Sequence, residues 1–538
     1  MIYSFYVKIL LFFILFLVTI WLLKFFLDRP GVKVTGWKSY LLLGLLFGLI
    51  IVVRLVYLRN TETDVDTSTW LSAVIAFKHY PAKLWTLLNY TDSRPLTVLP
   101  LIAGSFLGFQ PNYSEAEIIG LILWLSSSYF IFRICSLFMA SSMCLLITWS
   151  MCMFLATIWS GFAAYNSEHV SVFILTAALA GYVAFVYEKW DRTLISLLIG
   201  ILLGSLVYAK FQNVPMGIIV GLFLLIEMAR RSNWRHAIFL LTGTILPTVL
   251  INIYYISLGK LSVFWNNYFW NNFYYSYTNQ FSNTAITDRF SLSRVSSFIM
   301  HHGNSGYYIL TLSFLIFIGL VFNYKSLLNK STKEPRLILF AVLFLLSSVY
   351  AVLQSGNNFE HYKLYLFVPL VFLAALAIAI SPVSVQKYMA VLLVIGSLSQ
   401  TARNIKELRD MSDYSANSRL DYKVSRSIKS HSTPSDRIVV WGWCDRLFVK
   451  SKRAMGFRDA HVFHFSLKSP LIPSWTKDFL FDMESNKPKL FIEAMIPVYS
   501  EKGDVFLPHD RVPVIREYVA QHYTLIDQVD GIRIFQRR

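Results

Sequence analysis

Long runs of apolar residues alternate with short polar stretches along the first 400 residues of the chain. A helix that crosses a membrane needs about 20 mostly apolar residues, and about thirteen runs approach this length. They lack the alternation over about ten residues that is typical of strands in an outer-membrane barrel. The runs predict transmembrane helices at residues 6–27, 40–58, 95–109, 116–136, 140–160, 168–187, 193–209, 212–229, 236–258, 306–323, 337–353, 362–380 and 385–399.

The pattern changes at about residue 401, where apolar runs become short and charged residues frequent. Residues 401–538 carry 40 charged side chains in 138 positions, and the 400 residues before them carry the same number. Two buried strands, a helix and a terminal hairpin are predicted at Arg437–Trp443, Lys487–Ala494, Val514–His522 and Tyr523–Arg538. The expected fold is therefore a polytopic α-helical membrane protein with a C-terminal soluble α/β domain.

The composition of the whole chain agrees with this division. Hydrophobic residues make up 55% of the sequence and charged residues 15%, against about 25% charged residues in a typical soluble domain. These values exclude a soluble single-domain enzyme, a disordered chain and a disulfide scaffold. The net charge of +18 is assigned to basic loops beside anionic lipid headgroups, because the sequence contains no nucleic-acid-binding motif and predicts no nucleic-acid partner.

Basic residues after the first apolar run predict the orientation of the chain. Lys24, Arg29, Lys33 and Lys38 lie close together, and such clusters favour the cytoplasmic side. Residues 1–38 are therefore interpreted as an additional helix and a cytoplasmic loop. The protein is expected in the inner, or plasma, membrane.

Because the loop before the second helix is cytoplasmic, that helix crosses the membrane and the loop that follows it lies on the outer side. We expect residues 39–400 to form the main membrane domain, with outer loops at 59–94 and 259–305. Residues 401–538 are predicted to lie on the same, periplasmic side.

Ionisable residues near the ends of the predicted spans are candidates for function, because charge at membrane depth is costly. Asp66 and Glu168 are acidic, and carboxylates reach the headgroup region less readily than long basic side chains do. A carboxylate at the outer surface can deprotonate an acceptor hydroxyl or amine. The alternative for each residue is an interfacial ion pair.

A second group of polar residues at the same helix ends can hold a phosphate. Arg94, Lys210 and His361 are basic, and the first of them offers paired hydrogen bonds; Tyr362 follows the histidine directly. The alternative for the basic residues is that they extend their charged ends to the membrane surface. A carboxylate that accepts a proton and basic residues that hold a phosphate together indicate an enzyme that transfers a sugar from a lipid-phosphate donor.

The second outer loop contains the aromatic and amide-rich run FWNNYFWNNFYYSYTNQF, which begins at Phe264. Aromatic rings stack on the apolar faces of sugars, and amides bond their hydroxyl groups. Trp265, Trp270 and Asn271 are therefore predicted to contact a sugar or the acceptor. An interfacial aromatic belt is an equally good interpretation of the same run.

The order of these motifs resembles that of the GT-C class of polyprenyl-phosphate-sugar glycosyltransferases, which includes protein O-mannosyltransferases and lipid A aminoarabinose transferases. The family shows an acidic residue, an aromatic residue four positions later and Lys/Arg-Pro-Pro-Leu about thirty residues on. Asp66, Trp70 and Arg94-Pro95-Leu96 correspond to these landmarks. Glu168 matches the second acidic landmark, and the resemblance extends over most of residues 40–538.

The resemblance implies an inverting glycosyltransferase that uses a polyprenyl-phosphate-linked sugar and an acceptor glycan, lipid or protein. Asp66 would be the general base or the carboxylate that positions the acceptor, and Glu168 would be the second carboxylate. Asp64 and Trp70 would contact the sugar or acceptor. No resident cofactor is implied. A divalent metal stays open, since Ser93 stands where some relatives carry a glutamate implicated in metal contact.

Two other classes of protein fit parts of the pattern. A flippase for lipid-linked sugars would also contain many helices with intramembrane charges, but it predicts inverted repeats, and none is visible in the sequence. A scaffold for envelope assembly would use the C-terminal domain as its binding surface.

Overall fold

In the part of the chain that the structure describes, helices predominate and a five-stranded sheet lies near the C-terminal end. The structure is a computed structural model. It describes residues 2–28, 36–58, 60–81, 95–158, 161–187, 193–270, 272–274, 284–301, 305–323, 334–407, 415–466, 470–495 and 507–538.

Sixteen helices precede the C-terminal segment in the described ranges. They are α1 (Ile2–Asp28), α2 (Trp37–Tyr57), α3 (Val65–His79), α4 (Pro95–Phe106), α5 (Tyr113–Ser136), α6 (Ser141–Thr157), α7 (Ser167–Tyr187), α8 (Thr193–Ala209), α9 (Val214–Arg230), α10 (Trp234–Ser257), α11 (Leu261–Trp265), α12 (Leu292–His301), α13 (Gly306–Phe322), α14 (Glu334–Leu353), α15 (Leu364–Ile380) and α16 (Val383–Glu407).

Each of the thirteen apolar runs found in the sequence is a helix in the structure. Within the described ranges, eight helices are long and apolar enough to cross a membrane, and four shorter apolar helices, α4, α6, α8 and α13, accompany them. The thirteenth, α16, carries Lys387 and Arg403 toward its two ends and belongs to neither group. The protein is a multi-pass membrane protein.

The chain divides into two units, and each unit is assembled from separate stretches of sequence. The first unit consists of Met1–Leu58, Gly120–Tyr254 and Thr284–Asp410. The second consists of Arg59–Ile119, Tyr255–Asn283 and Met411–Arg538. The C-terminal segment thus shares its unit with residues that the sequence analysis placed in the two outer loops.

Glycines bring two helices of the first unit into backbone contact. Gly200 and Gly204 are four residues apart on α8, the spacing that lets membrane helices approach closely. A Cβ atom added at Gly204 would lie 2.0 Å from the backbone oxygen of Thr244 on α10. One added at Gly200 would lie 2.1 Å from the backbone oxygen of Leu240. The two helices are therefore packed too closely for any side chain at these positions.

We expect Gly204→Ala to destabilise the protein by about 1–3 kcal/mol, because the methyl group overpacks a backbone contact. Thermal unfolding of the purified protein in detergent measures the effect. Gly44→Ala on α2 is the matched control, since nothing lies within 4 Å of an added Cβ there and alanine favours the helix. Equal melting temperatures for both variants would contradict the close packing of α8 on α10.

In its described residues, the C-terminal segment contains four α-helices and five strands. They are α17 (Ser415–Ser430), β1 (Arg437–Gly442), α18 (Arg446–Ser451), β2 (Ala454–Met455), α19 (Ile472–Asn486), β3 (Leu490–Ala494), α20 (Pro513–His522), β4 (Tyr523–Val529) and β5 (Ile532–Arg537). The strand order is β2-β1-β3-β5-β4. The first three strands are parallel, and β5 pairs antiparallel with β3 and with β4.

The predicted strands and the terminal hairpin are confirmed. β4 and β5 are joined at Asp530 and Gly531, whose φ angles of 46° and 90° are the positive values that a tight hairpin turn with the twist of its strands requires. Trp441 of β1 packs against Phe479 of α19 with ring centroids 5.6 Å apart. The aromatic core of this segment therefore lies between the sheet and α19.

Candidate active site

Helix α3 of the second unit carries the predicted base. Asp64 is its N-cap, and its carboxylate accepts a hydrogen bond of 3.0 Å from the backbone N–H of Asp66. Between residues 65 and 76 every residue is buried except Asp66, which is partly exposed. A helix buried on all sides thus presents one accessible carboxylate at its first turn.

Two predicted sugar contacts near Asp66 have structural roles in this unit. Asp64 caps α3, as its position before the first turn favours. Trp70 is completely buried, so its ring packs inside the unit, whereas a stacked sugar requires an exposed ring face. Their direct contact with a sugar stays a prediction.

The aromatic segment forms α11 and a π-helical turn, Asn266–Trp270, that follows it directly. On one side, Tyr255, Phe264 and Tyr268 stack, with centroid distances of 4.4 and 5.3 Å. On the other side, Trp270 is 46% exposed. The segment therefore buries some of its aromatic rings and exposes others.

The remaining predicted residues of this segment differ in position. Trp265 is half-buried, and Asn271 lies outside the described residues. The exposed rings suit both a sugar and a membrane interface, so the predicted contacts of Trp265, Trp270 and Asn271 stay predictions.

In the first unit the structure brings Glu168 and Lys210 together. Glu168 lies in the first turn of α7, where the helix dipole favours a carboxylate. Lys210 directly follows α8 and immediately precedes the 3-10 turn Phe211–Asn213. The lysine Nζ donates to Glu168 Oε1, and both side chains are buried. The carboxylate therefore balances the charge of the lysine that the sequence analysis assigned to the phosphate.

Tyr362 and His361 extend this cluster. They lie in the 3-10 turn Glu360–Lys363, directly before α15, and both are buried. Lys210 Nζ lies 4.3 Å from the centroid of the Tyr362 ring, and the His361 and Tyr362 rings are 4.9 Å apart. Four of the predicted residues, from three separate helix ends, thus form one buried polar cluster in the first unit.

Two arginines that the sequence analysis missed hold the loop before His361. Arg289 Nη1 donates to the backbone oxygen of Gln354 at 2.5 Å. Arg294 Nη2 donates to the backbone oxygen of Gly356 and, at 2.9 Å, to Asn358 Oδ1. Burial and the neighbouring Arg289 lower the pKa of Arg294. Their only signal in the sequence was a pair of arginines within a long loop.

The strongest predicted phosphate ligand, Arg94, lies outside the described residues. Its helix, α4, is described from Pro95 onward. The role of Arg94 therefore rests on the sequence and stays a prediction.

The second unit contains a charged network that the sequence analysis also missed. Arg446 Nη1 lies 3.2 Å from Glu62 Oε2, and Arg446 Nε donates to Asp421 Oδ1 at 2.7 Å. Burial is the main cause that raises the pKa of Glu62 to about 7, although Arg446 opposes it. The first outer loop is thus joined to the C-terminal segment by the largely buried ion pair between Glu62 and Arg446.

A second buried contact lies at the carboxyl ends of β1 and β2. Asp445 follows β1 and His461 follows β2, and His461 Nδ1 lies 2.9 Å from Asp445 Oδ2. The carboxyl edge of parallel strands is a common place for functional side chains. Here it receives α3, since Thr69 Oγ1 donates to the same Asp445 oxygen at 2.6 Å.

The described residues contain no group of three or more His, Cys, Asp or Glu side chains arranged to hold a metal ion.

Solved structures resemble this architecture over nearly its whole length. The structure of ArnT from Cupriavidus metallidurans bound to undecaprenyl phosphate matches with a TM-score of 0.55 and 11% sequence identity, over 93% of this chain and 98% of that chain. The apo state of ArnT matches with the same TM-score, the same coverage and 10% identity. The chain has the GT-C fold. The fold class expected from the resemblance is therefore confirmed.

A third match is more distant. The archaeal oligosaccharyltransferase AglB from Archaeoglobus fulgidus, in complex with an inhibitory peptide and a dolichol-phosphate, gives a TM-score of 0.46 and 11% identity, over 86% of this chain and 70% of that chain. No protein-family model and no curated protein matches the sequence.

Proposed function

We propose that the protein is a glycosyltransferase of the inner membrane. It transfers a sugar from a polyprenyl-phosphate donor to an acceptor glycan, lipid or protein on the periplasmic side. The observation that carries this proposal is the single accessible carboxylate, Asp66, at the first turn of a buried helix in a GT-C fold. The C-terminal segment and the active site are assigned to the outer side of the membrane.

The chemistry is a direct displacement at the anomeric carbon. Asp66 accepts the proton of the acceptor hydroxyl or amine while the acceptor atom bonds to the anomeric carbon. The bond between that carbon and the phosphate oxygen breaks, and its electron pair leaves with the polyprenyl phosphate. The configuration at the carbon inverts, and no covalent enzyme intermediate is needed.

The donor phosphate is assigned to Arg94, His361 and Tyr362, with Lys210 contributing less. Lys210 already forms an ion pair with Glu168, so it offers the phosphate little net charge. Its main role is to hold Glu168 beside Tyr362. Glu168, as the second carboxylate, then shapes the same polar cluster from the first turn of α7.

A reconstituted assay tests the proposal. The full-length protein is placed in liposomes with a panel of undecaprenyl-phosphate-linked hexoses and pentoses and a cell-envelope extract as acceptor. Acceptor-dependent release of undecaprenyl phosphate supports the transferase. Movement of the lipid-linked sugar between leaflets without such release would overturn it in favour of a flippase.

We expect Arg94→Ala to weaken donor binding by about 1.5–3 kcal/mol, the range for hydrogen bonds to charged groups. Arg94→Lys should retain more affinity, because it keeps the charge but loses the paired geometry. Binding of undecaprenyl phosphate to the purified variants measures the effect, and acceptor affinity should change little.

Unchanged donor affinity in Arg94→Ala would remove this residue from the phosphate site. The phosphate would then be sought beside His361, where Arg289 and Arg294 hold the adjoining loop.

A further inference from the structure

Helix α3 is held by two adjacent residues of the C-terminal segment, Asp445 and Arg446. Thr69 Oγ1 donates to Asp445 Oδ2 at 2.6 Å, and Ser72 Oγ donates to the Asp445 backbone oxygen at 3.3 Å. Arg446 Nη1 lies 3.2 Å from Glu62 Oε2. These contacts all lie within the second unit.

The contacts lie on both sides of Asp66 along the chain. Glu62 precedes the helix, and Thr69 lies one turn after Asp66. Ser68 joins the two sides, because its hydroxyl donates to Glu62 Oε1 and contacts the Tyr113 hydroxyl at 2.8 Å. The first turn of α3 therefore has little freedom to rotate or shift.

Asp445 and Arg446 are themselves held in place by other residues of the C-terminal segment. Arg446 Nε donates to Asp421 Oδ1 of α17 at 2.7 Å. Asp445 is fully buried and lies 2.9 Å from His461 Nδ1. Such supporting contacts are what hold a functional group within a fraction of an ångström of its working position.

We propose that Asp445 and Arg446 are positioning residues, which fix α3 through Thr69 and Glu62 and thereby orient the carboxylate of Asp66. The inference rests on the proposed function, in which Asp66 takes the acceptor proton. These four residues, Asp445, Arg446, Thr69 and Glu62, are called the α3 clamp below. None of the four touches the reacting atoms.

The electrostatics of Glu62 provide a readout that a purely structural contact would lack. Arg446 faces it with a positive charge, Asp421 and Asp445 are negative neighbours, and the Tyr113 hydroxyl lies nearby. Since burial raises the pKa of Glu62 to about 7, acidification below pH 7 neutralises it and weakens its ion pair with Arg446.

Protonation of Glu62 is expected to change the stability and the activity of the protein in opposite directions. A carboxyl group whose pKa is raised by folding stabilises the protein fully below its unfolded pKa, and this stabilisation is lost as the pH rises through about 7. Lowering the pH from 8 to 6 should therefore loosen the α3 clamp and reduce turnover, although Glu62 then favours the folded state. Glu62→Gln should remove this part of the pH profile.

The decisive comparison is Thr69→Val against Thr69→Ser in the full-length protein in liposomes, with the undecaprenyl-phosphate-linked sugars as probes. Valine matches the shape of threonine but loses the hydroxyl, whereas serine keeps the bond to Asp445. We expect kcat to fall about tenfold or more in Thr69→Val, as for a lost bond to a charged group, with the donor KM unchanged. Thr69→Ser should stay within about threefold of the original protein.

Hydrogen–deuterium exchange across residues 60–76 tests the α3 clamp without any substrate. Thr69→Val should accelerate exchange at the first turns of α3, and Thr69→Ser should not. Equal exchange in the two variants would overturn the inference, as would equal kcat values in an active enzyme. If the original protein releases no undecaprenyl phosphate from any probe, the proposed function fails, and the exchange result still decides whether the clamp exists.

Discussion

Asp66→Asn should abolish sugar transfer while the protein still folds and inserts into the membrane. The amide keeps the shape of the carboxylate but cannot accept a proton, and general base catalysis contributes about 100-fold to 10,000-fold in rate. Asp66 is partly exposed on an otherwise buried turn, so the substitution leaves the packing of α3 intact. Turnover of the purified variant with lipid-linked sugars is the measurement, and melting temperature monitors the fold.

Asp64→Asn is the matched control for this variant. Asparagine caps helices about as well as aspartate does, so it can still accept the bond from the Asp66 N–H. Its turnover should remain close to that of the original protein. If Asp66→Asn keeps more than about a tenth of the original rate, Asp66 is not the base.

Glu168→Gln should reduce both turnover and stability strongly. Its partner, Lys210, is buried, and removing one member of a buried ion pair costs about 3–5 kcal/mol because the other charge stays uncompensated. Thermal unfolding in detergent and turnover in liposomes are measured on the same preparations. Stability alone cannot separate a structural role from a catalytic one here, so a double variant is needed.

The double variant Glu168→Gln/Lys210→Met separates the two roles of Glu168. Removing both charges should recover most of the stability lost in Glu168→Gln, because no uncompensated charge remains. If Glu168 serves the reaction, turnover stays low in the recovered protein. Recovery of turnover together with stability would reduce Glu168 to a structural partner of Lys210.

The sequence predicted the membrane part of the fold well, because a membrane helix is a local pattern. Each apolar run, such as that of α7, must bury its own backbone polar groups in a continuous helix, and no distant partner is needed to recognise it. The hairpin at Asp530-Gly531 was predictable for the same reason. The strand β2, Ala454–Met455, was not predicted from the sequence, because two residues show no periodicity.

The contacts of the site were not predictable, since they join residues far apart in the chain. Arg446 and Glu62 are 384 positions apart, and nothing local to either residue indicates its partner. Lys210 was assigned to the donor phosphate because a lysine at a helix end suggests that an anion binds there. The structure shows that the carboxylate of Glu168 already occupies that place.

The assembly of the second unit from separated stretches has a consequence during biosynthesis. Helix α3 is made early, but Asp445 and Arg446, which hold its first turns, follow nearly 400 residues later. At about 5–20 residues per second, the ribosome takes roughly 20–80 s to reach them. During this interval the hydroxyl groups of Thr69 and Ser72 lack the contacts to Asp445 that hold α3 in the finished protein.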